Sequence, residues 1–186
     1  MDFKLLALGG DGIGPEVLES GLSILETISK KNNLNFEISF DLIGGACWDK
    51  YGTFCRNSTI EKAIESDAIL VGAVGGHKWD AMKIKGDPEE QDGLMCLRKK
   101  LGAFFGIRPA KYYKSLQNII PFNKEYVQNS EIIILREMCG GVMFSKPRGL
   151  KFLENDERYG FDTAGYNECE IREFAKCGFE LANMYN

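Results

Sequence analysis

Hydrophobic positions along the chain recur with two periods, and the periods alternate. Residues 3–8 form an apolar run that ends in Gly9 and Gly10, as expected for a buried strand stopped by residues that tolerate positive φ. Pro15 suits a first helical turn, where its missing N–H costs nothing. Val17, Leu18, Leu22, Leu25 and Ile28 then recur at helical spacing to about Lys30. Phe36, Ile38, Phe40 and Leu42 alternate with Glu37, Ser39 and Asp41, which predicts a strand with one wet face ending at Gly44-Gly45. Ser58 with Glu61 three residues on reads as a capping box that opens a helix over 59–66. Residues 68–74 are apolar apart from Gly72, as in a parallel strand covered on both faces.

A second group of elements follows: a helix over 93–101, strands over 103–108 and 131–137, a short segment over 142–144, and a helix over 168–184. In that last helix Ile171, Phe174, Ala175, Gly178, Phe179 and Ala182 fall on one stripe, which predicts a packed face. The order βαβαβ points to an α/β fold with a mostly parallel sheet and flanking helices. The length of 186 residues suits one domain or two small ones, and there is no internal repeat or low-complexity tract.

Composition narrows the classes of function. The chain is 44% hydrophobic and 27% charged, so it is neither disordered nor collagen-like, and no apolar run reaches the ~18 residues of a membrane helix. A net charge of -4 gives no electrostatic reason to expect nucleic acid or an anionic membrane as partner, and a small ligand is expected instead. The N-terminus lacks the apolar core of a signal peptide and the Arg and Ser of a transit peptide, which predicts a cytoplasmic protein. The six cysteines form no CxxC pair and sit in apolar segments, so reduced, mostly buried thiols are expected.

Two glycine loops and three arginines are the candidate chemistry. Gly9-Gly10-Asp11-Gly12-Ile13-Gly14-Pro15 joins a strand to a helix but fails the dinucleotide fingerprint, because GxGxxG counted from Gly10 needs a glycine where Pro15 stands. The loop after the strand 68–74, running to Asp80, leaves the C-terminal end of a buried parallel strand, where open α/β sheets place ligands. Its histidine, His77, has no second histidine, CxxC or carboxylate cluster beside it and reads as a solvent-side loop residue.

Arg98 lies on the short helix, Arg108 at the end of one strand and Arg136 at the end of another. Ile107-Arg108 and Leu135-Arg136 set permanent charges beside apolar residues, which calls for partners. Pairing with a nearby acid such as Glu137 would explain any one of them. Three around one ligand would suit a dicarboxylate, since each guanidinium can hold a carboxylate bidentately. Leu94, four residues before Arg98, shares its helix face, so an acid end and an aliphatic branch would be read together. Ordinary core packing is the alternative for Leu94, Met95 and Leu97.

Six ordered motifs carry a resemblance that covers nearly the whole chain: residues 10–17, 72–80, 93–99, 107–111, 136–141 and 146–149, followed by the terminal helix. With them the chain resembles the N-terminal half of the 3-isopropylmalate dehydrogenases. These belong to the β-decarboxylating dehydrogenases, together with isocitrate, homoisocitrate, tartrate and D-malate enzymes. The resemblance implies a non-Rossmann fold of two domains, here 1–103 on the nicotinamide side and a partial 104–186 on the substrate and dimerisation side. It implies that Arg98, Arg108 and Arg136 bind the malate part of the substrate and that Leu94 and Met95 face its isopropyl group. Isocitrate enzymes carry a serine and an asparagine in the matching helix. Ile13, Ala73, Gly76, His77, Lys78, Trp79, Asp80 and Glu90 would lie along the nicotinamide end of NAD.

The implied reaction oxidises a 2-hydroxy dicarboxylate with NAD and removes carbon dioxide, with Mg2+ or Mn2+ bound by a homodimer. Two departures stand out. Met143 occupies the place of the family's proton-donating tyrosine, and a thioether has no proton to give. Ala73 and Cys139 replace a usual serine and threonine. The family's lysine and metal-binding aspartates fall beyond Asn186, so no turnover is expected from these 186 residues alone, and an open apolar sheet edge is expected. The alternatives are a degenerate or regulatory non-catalytic subunit that binds a small dicarboxylate, and a tartrate/D-malate or isocitrate-type enzyme.

Overall fold

Leu6, Ala7 and Leu8 are fully enclosed in the middle of strand β1 (Asp2–Gly10), because that strand has a neighbour on each side and a helix over each face. The computed structural model describes residues 2–82 and 86–185. The chain divides into two compact units, Met1–Gly102 and Ala103–Asn186.

In the first unit β1 pairs in parallel with β2 (Asn35–Asp41), from Asp2↔Asn35 to Leu8↔Asp41. It pairs in parallel with β3 (Ala68–Ala73) on its other edge, from Leu5↔Ala68 to Gly10↔Ala73. Helix α1 (Gly14–Asn32) covers the face of Phe3, Leu5 and Phe36, leaving an apolar cavity of about 470 Å³ that Leu25 also lines. The opposite face carries the core, where Leu6 and Leu8 pack with Ile43, Cys55, Ile60 and Leu97. Ile60 comes from α3 (Asn57–Ile64) and Leu97 from α6 (Gly93–Leu101). The two crossovers leave β1 in opposite directions, and with the usual right-handed sense that places their helices on opposite faces.

The capping box expected at Ser58 and Glu61 does not form. Helix α3 starts two residues earlier, with Arg56 at the N-cap and no side-chain cap bond. Arg56 is instead drawn to the enclosed Asp41 carboxylate, which also pairs with Lys62 at 2.9 Å, and its guanidinium lies 4.0 Å from the Tyr51 ring centroid. Ion pairing at the end of β2 thus fixes how the chain enters α3. Between β2 and α3 lies α2 (Gly45–Tyr51), whose seven residues show no apolar period to announce it.

The second unit is built on antiparallel ladders, so the parallel sheet belongs to the first unit alone. Strand β4 (Phe105–Lys111) pairs with β5 (Glu131–Glu137) across a connection that carries the single helical turn α7 (Lys124–Val127), and a hairpin joins β6 (Gly149–Phe152) to β7 (Arg158–Phe161). β4 runs three residues past its expected end, through Pro109 opposite Ile133, a position that a strand with one paired edge tolerates. Helix α8 (Glu168–Met184) starts from a capping box in which Asn167 accepts from Glu170 N–H at 2.9 Å and Glu170 accepts from Asn167 N–H at 2.9 Å.

The stripe expected on α8 is corrected. Phe174 meets Phe105 at 5.2 Å between ring centroids, Gly178 lies against Leu135, and Leu181 and Ala182 line a cavity of about 380 Å³. Ile171 and Phe179 are exposed. A two-stranded ladder is too narrow to cover more than one row of the helix.

Candidate functional site at the strand ends

The glycines of the β1–α1 turn serve packing. A Cβ on Gly14 would overlap the Gly9 carbonyl oxygen, and one on Gly72 would overlap the Gly14 and Gly9 carbonyls. Helix and strands therefore approach at backbone contact, and the turn encloses no phosphate cradle of the Rossmann kind. Ile13, at the N-cap of α1, is exposed. Ala73 closes β3, and its carbonyl accepts from Asp11 N–H at 2.6 Å.

Beyond β3 the segment turns through Gly75, at φ +113°, into a single helical turn α4 (His77–Asp80). His77 and Lys78 are exposed. Lys78 pairs with Asp49 of α2 at 2.6 Å, and Trp79 Nε1 donates to the same carboxylate at 3.2 Å. The indole lies over Gly45, where a Cβ would collide with it, and packs against Gly76.

Trp79 and Asp80 line a cavity of about 370 Å³ together with Asp11, Gly75, Asp92 and Gly93. It lies at the C-terminal ends of β1 and β3, where the sheet order reverses and where open α/β sheets bind ligands. Its size is near the low end of small-molecule sites, roughly 300 to 1,000 Å³. Glu90 does not reach this lining. It sits in the short helix α5 (Pro88–Gln91), and its carboxylate accepts from Asp87 N–H at 2.9 Å, a local cap.

Asp92 opens α6 by accepting from Leu94 N–H at 2.7 Å and Met95 N–H at 3.1 Å. Leu97 is the α6 side chain enclosed in the core. Leu94, Met95 and Arg98 are half-buried, and neither Leu94 nor Met95 belongs to the core cluster. Core packing therefore accounts for Leu97 and leaves Leu94 and Met95 on the turns that flank it.

In the second unit, Arg108 pairs in register with Ile134, and Arg136 with Gly106. Side chains two apart on a strand share a face, so both arginines lie on one face as diagonal neighbours, with Cβ atoms roughly 7–8 Å apart or less. Both are exposed. The enclosed charges expected from their apolar neighbours are not found, since Ile107 is itself half exposed. Pairing of Arg136 with Glu137 is also excluded. Alternation sends Glu137 to the other face, where its carboxylate accepts from Cys139 N–H at 2.7 Å and Gly140 N–H at 2.9 Å.

The half-buried Met143 ends a 3₁₀ turn, Gly141–Met143. Gly141 N–H donates to Gly165 O at 3.1 Å, and Ser145 Oγ donates to the same carbonyl at 2.8 Å. The Tyr166 phenol packs against Gly140 and Gly141. The sequence pattern assigned no role to Asp11 and Asp49 of the first unit or to Tyr166 of the second. Asp11 alone left a signal, an acid set between glycines at a strand end.

Among the described residues no group of three or more His, Cys, Asp or Glu side chains is arranged to hold a metal ion. These residues thus offer no complete ligand set for the Mg2+ or Mn2+ that the family resemblance implies. No helix among them is long and apolar enough to cross a membrane. No disulfide joins the six cysteines, but only Cys47 and Cys55 are buried and Cys169 is exposed, so the expectation of mostly buried cysteines is corrected. Burial, with Cys96 beside it, pushes the Cys55 thiol up to about 12. Burial of Asp41 disfavours its charge, but hydrogen bonds from Lys62, Leu42 N–H and Arg56 outweigh that and hold the carboxyl below its usual range.

A model of isocitrate and isopropylmalate dehydrogenases matches residues 4–185. The chain is 42% identical over 184 residues to a 3-isopropylmalate dehydrogenase of Xanthomonas euvesicatoria, covering 99% of this chain and 51% of that protein. It is 44% identical to one from Pseudomonas fluorescens, with the same coverage. Among solved structures, isocitrate dehydrogenase from Methylococcus capsulatus superposes with a TM-score of 0.72 at 16% identity, over 98% of this chain and 48% of that one. The chain thus spans about half the length of the curated relatives it matches.

Proposed function

Given that the chain belongs to the isocitrate/isopropylmalate dehydrogenase family, we propose that it carries the substrate arginines and the nicotinamide-side loops of a 3-isopropylmalate dehydrogenase-type oxidoreductase, NAD-dependent and of leucine biosynthesis. The observation that carries this reading is the pair Arg108 and Arg136, set diagonally on one open face. Two guanidinium groups at that spacing, each able to hold a carboxylate bidentately, suit the carboxylates of a small 2-hydroxy diacid. The family resemblance assigns Arg98, Leu94 and Met95 of the first unit to the same substrate, the arginine for a carboxylate and the two apolar side chains, which stand outside the core cluster, for an alkyl branch. This apolar pair favours isopropylmalate over isocitrate. The domain boundary near 103, a homodimer as in full-length members of the family and a cytoplasmic setting belong to the same proposal.

NAD supplies the hydride acceptor when bound. For this chain, Trp79, Asp80 and Gly75 shape the cavity that takes its nicotinamide end, and the family resemblance assigns Ile13, Ala73, Gly76, His77, Lys78 and Glu90 to the same cofactor, although none of these six is in the cavity lining. The arginines hold the diacid and favour its ionised form. No proton transfer is assigned to Met143, and no metal-dependent step to these residues.

Met143 supports a second reading, a binding or regulatory subunit that keeps the arginines and has lost the acid. Calorimetry with 3-isopropylmalate, isocitrate and malate tests the main reading. Tightest binding of isopropylmalate, reversed toward isocitrate by Leu94→Ser, is expected, and equal binding of all three refutes it. The 186 residues alone are expected to form no NADH. In a chain joined to the second half of the Pseudomonas relative, Met143→Tyr separates the readings: turnover that rises favours the enzyme, and binding without turnover favours the subunit.

A further inference from the structure

Three separate stretches of the first unit meet at one enclosed side chain. Asp11 is 4% exposed. Its Oδ2 accepts from Gly45 N–H at 2.8 Å and Gly75 N–H at 2.9 Å, and its Oδ1 from Ala46 N–H at 2.6 Å. One carboxylate thus joins the β1–α1 turn, the first residues of α2 and the segment that leaves β3. Bonds from amides to an ionised oxygen are shorter and stronger than neutral ones. The surroundings are built to this group. Gly44, at φ +75°, holds backbone where a Cβ would collide with Oδ2.

The segment after β3 is held on α2 at a second place. The Trp79 ring covers Gly45, while Lys78 and Trp79 Nε1 share Asp49. Gly75, Trp79 and Asp80 form the cavity rim, and Asp11 is the bond between that rim and the central strand. Asn at position 11 would present a donor NH2 to backbone donors and break at least one of the three bonds.

We propose that Asp11 is a positioning residue that fixes the Gly75–Asp80 rim in the shape that receives the dinucleotide's nicotinamide end, taking no part in the chemistry itself. The inference rests on the NAD reading above for its ligand, while its structural half stands separately. The chain has two tryptophans, so Trp48→Phe leaves Trp79 as the only indole and makes the rim observable. In that background Asp11→Asn is expected to raise acrylamide quenching of Trp79 severalfold with far-UV circular dichroism retained. It is also expected to weaken NAD binding about tenfold, the effect of losing a hydrogen bond to a charged group, and to leave 3-isopropylmalate affinity unchanged.

Unchanged quenching in a folded Asp11→Asn chain overturns the proposal, as does unchanged NAD affinity. If the parent chain binds no NAD yet the substitution frees Trp79, the cofactor reading fails and the clamp stands. If Asp11→Asn does not fold, the parent chain decides. Trans-hydrogen-bond NMR couplings from the amides of Gly45, Ala46 and Gly75 to the Asp11 carboxyl carbon, with slow exchange of all three, uphold the clamp, and their absence overturns it.

Discussion

The two units close their hydrophobic surface in different ways. Among the described residues, every large apolar side chain that is buried lies before residue 98, in the first unit. In the second unit Ile132 is 59% exposed, Ile134 54% and Phe179 74%. A three-stranded parallel sheet takes helices on both faces as a consequence of its crossovers, and β1 is sealed. A two-stranded ladder with a single helix keeps one face open. Arg108 and Arg136 stand on that open face with Ile132 and Ile134, so the geometry that leaves the second unit poorly enclosed is what makes its arginines accessible.

The largest expected effect probes this contrast directly. Leu6→Ala removes a fully enclosed side chain and is expected to cost about 2–5 kcal/mol of the first unit's stability, whereas Ile134→Ala is expected to cost well under 1 kcal/mol because its site is already wet. Denaturant melts followed unit by unit measure both, and equal losses would break the comparison. Hydrogen exchange sharpens it: amides of β1 should outlast those of β6 and β7.

Next in size is the alkaline limb. The Cys55 thiol, at about 12 in the folded chain against 9.0 ordinarily, stays protonated in the fold over a range where the unfolded chain loses the proton. Its contribution is intact below pH 9 and is lost as pH rises toward 12, at up to about 1.4 kcal/mol per pH unit. Melts of Cys55→Ala against the parent chain should show a flatter fall in that window. Asp41 works in the opposite sense. Its depressed pKa contributes stability above its unfolded value near 3.8, and that stability is lost as pH falls through the folded value, so Asp41→Asn should remove part of the acid limb of the melt. The smallest effect is Asn167→Ala, which removes the α8 cap and is expected to cost about 1 kcal/mol, read from the melt of the second unit.

The elements legible in the sequence are those with long periods. Residues 3–8, 68–74 and the turns of α1 carry their apolar pattern locally, and the structure places β1, β3 and α1 there. Helix α2 is too short to show a period, and the β6–β7 hairpin turns through Asn155 and Asp156, at φ +62°, between strands of only four residues. The site was legible as residue types and less so as partners. That Arg108 and Arg136 share a face depends on the β4–β5 register, set across more than twenty residues of chain. That Glu137 belongs to the Cys139-Gly140 turn depends on the direction of one side chain. Asp11 could be noticed as an acid among glycines, but its three donors come from 34, 35 and 64 residues away.

Titration calorimetry of 3-isopropylmalate into the parent chain and into the double variant Arg108→Ala/Arg136→Ala tests the central claim most directly. The account predicts saturable binding that weakens by tenfold or more in the double variant, since each charge-assisted pair contributes about 1.5–3 kcal/mol. Equal affinity in both chains, with the fold retained, would contradict it.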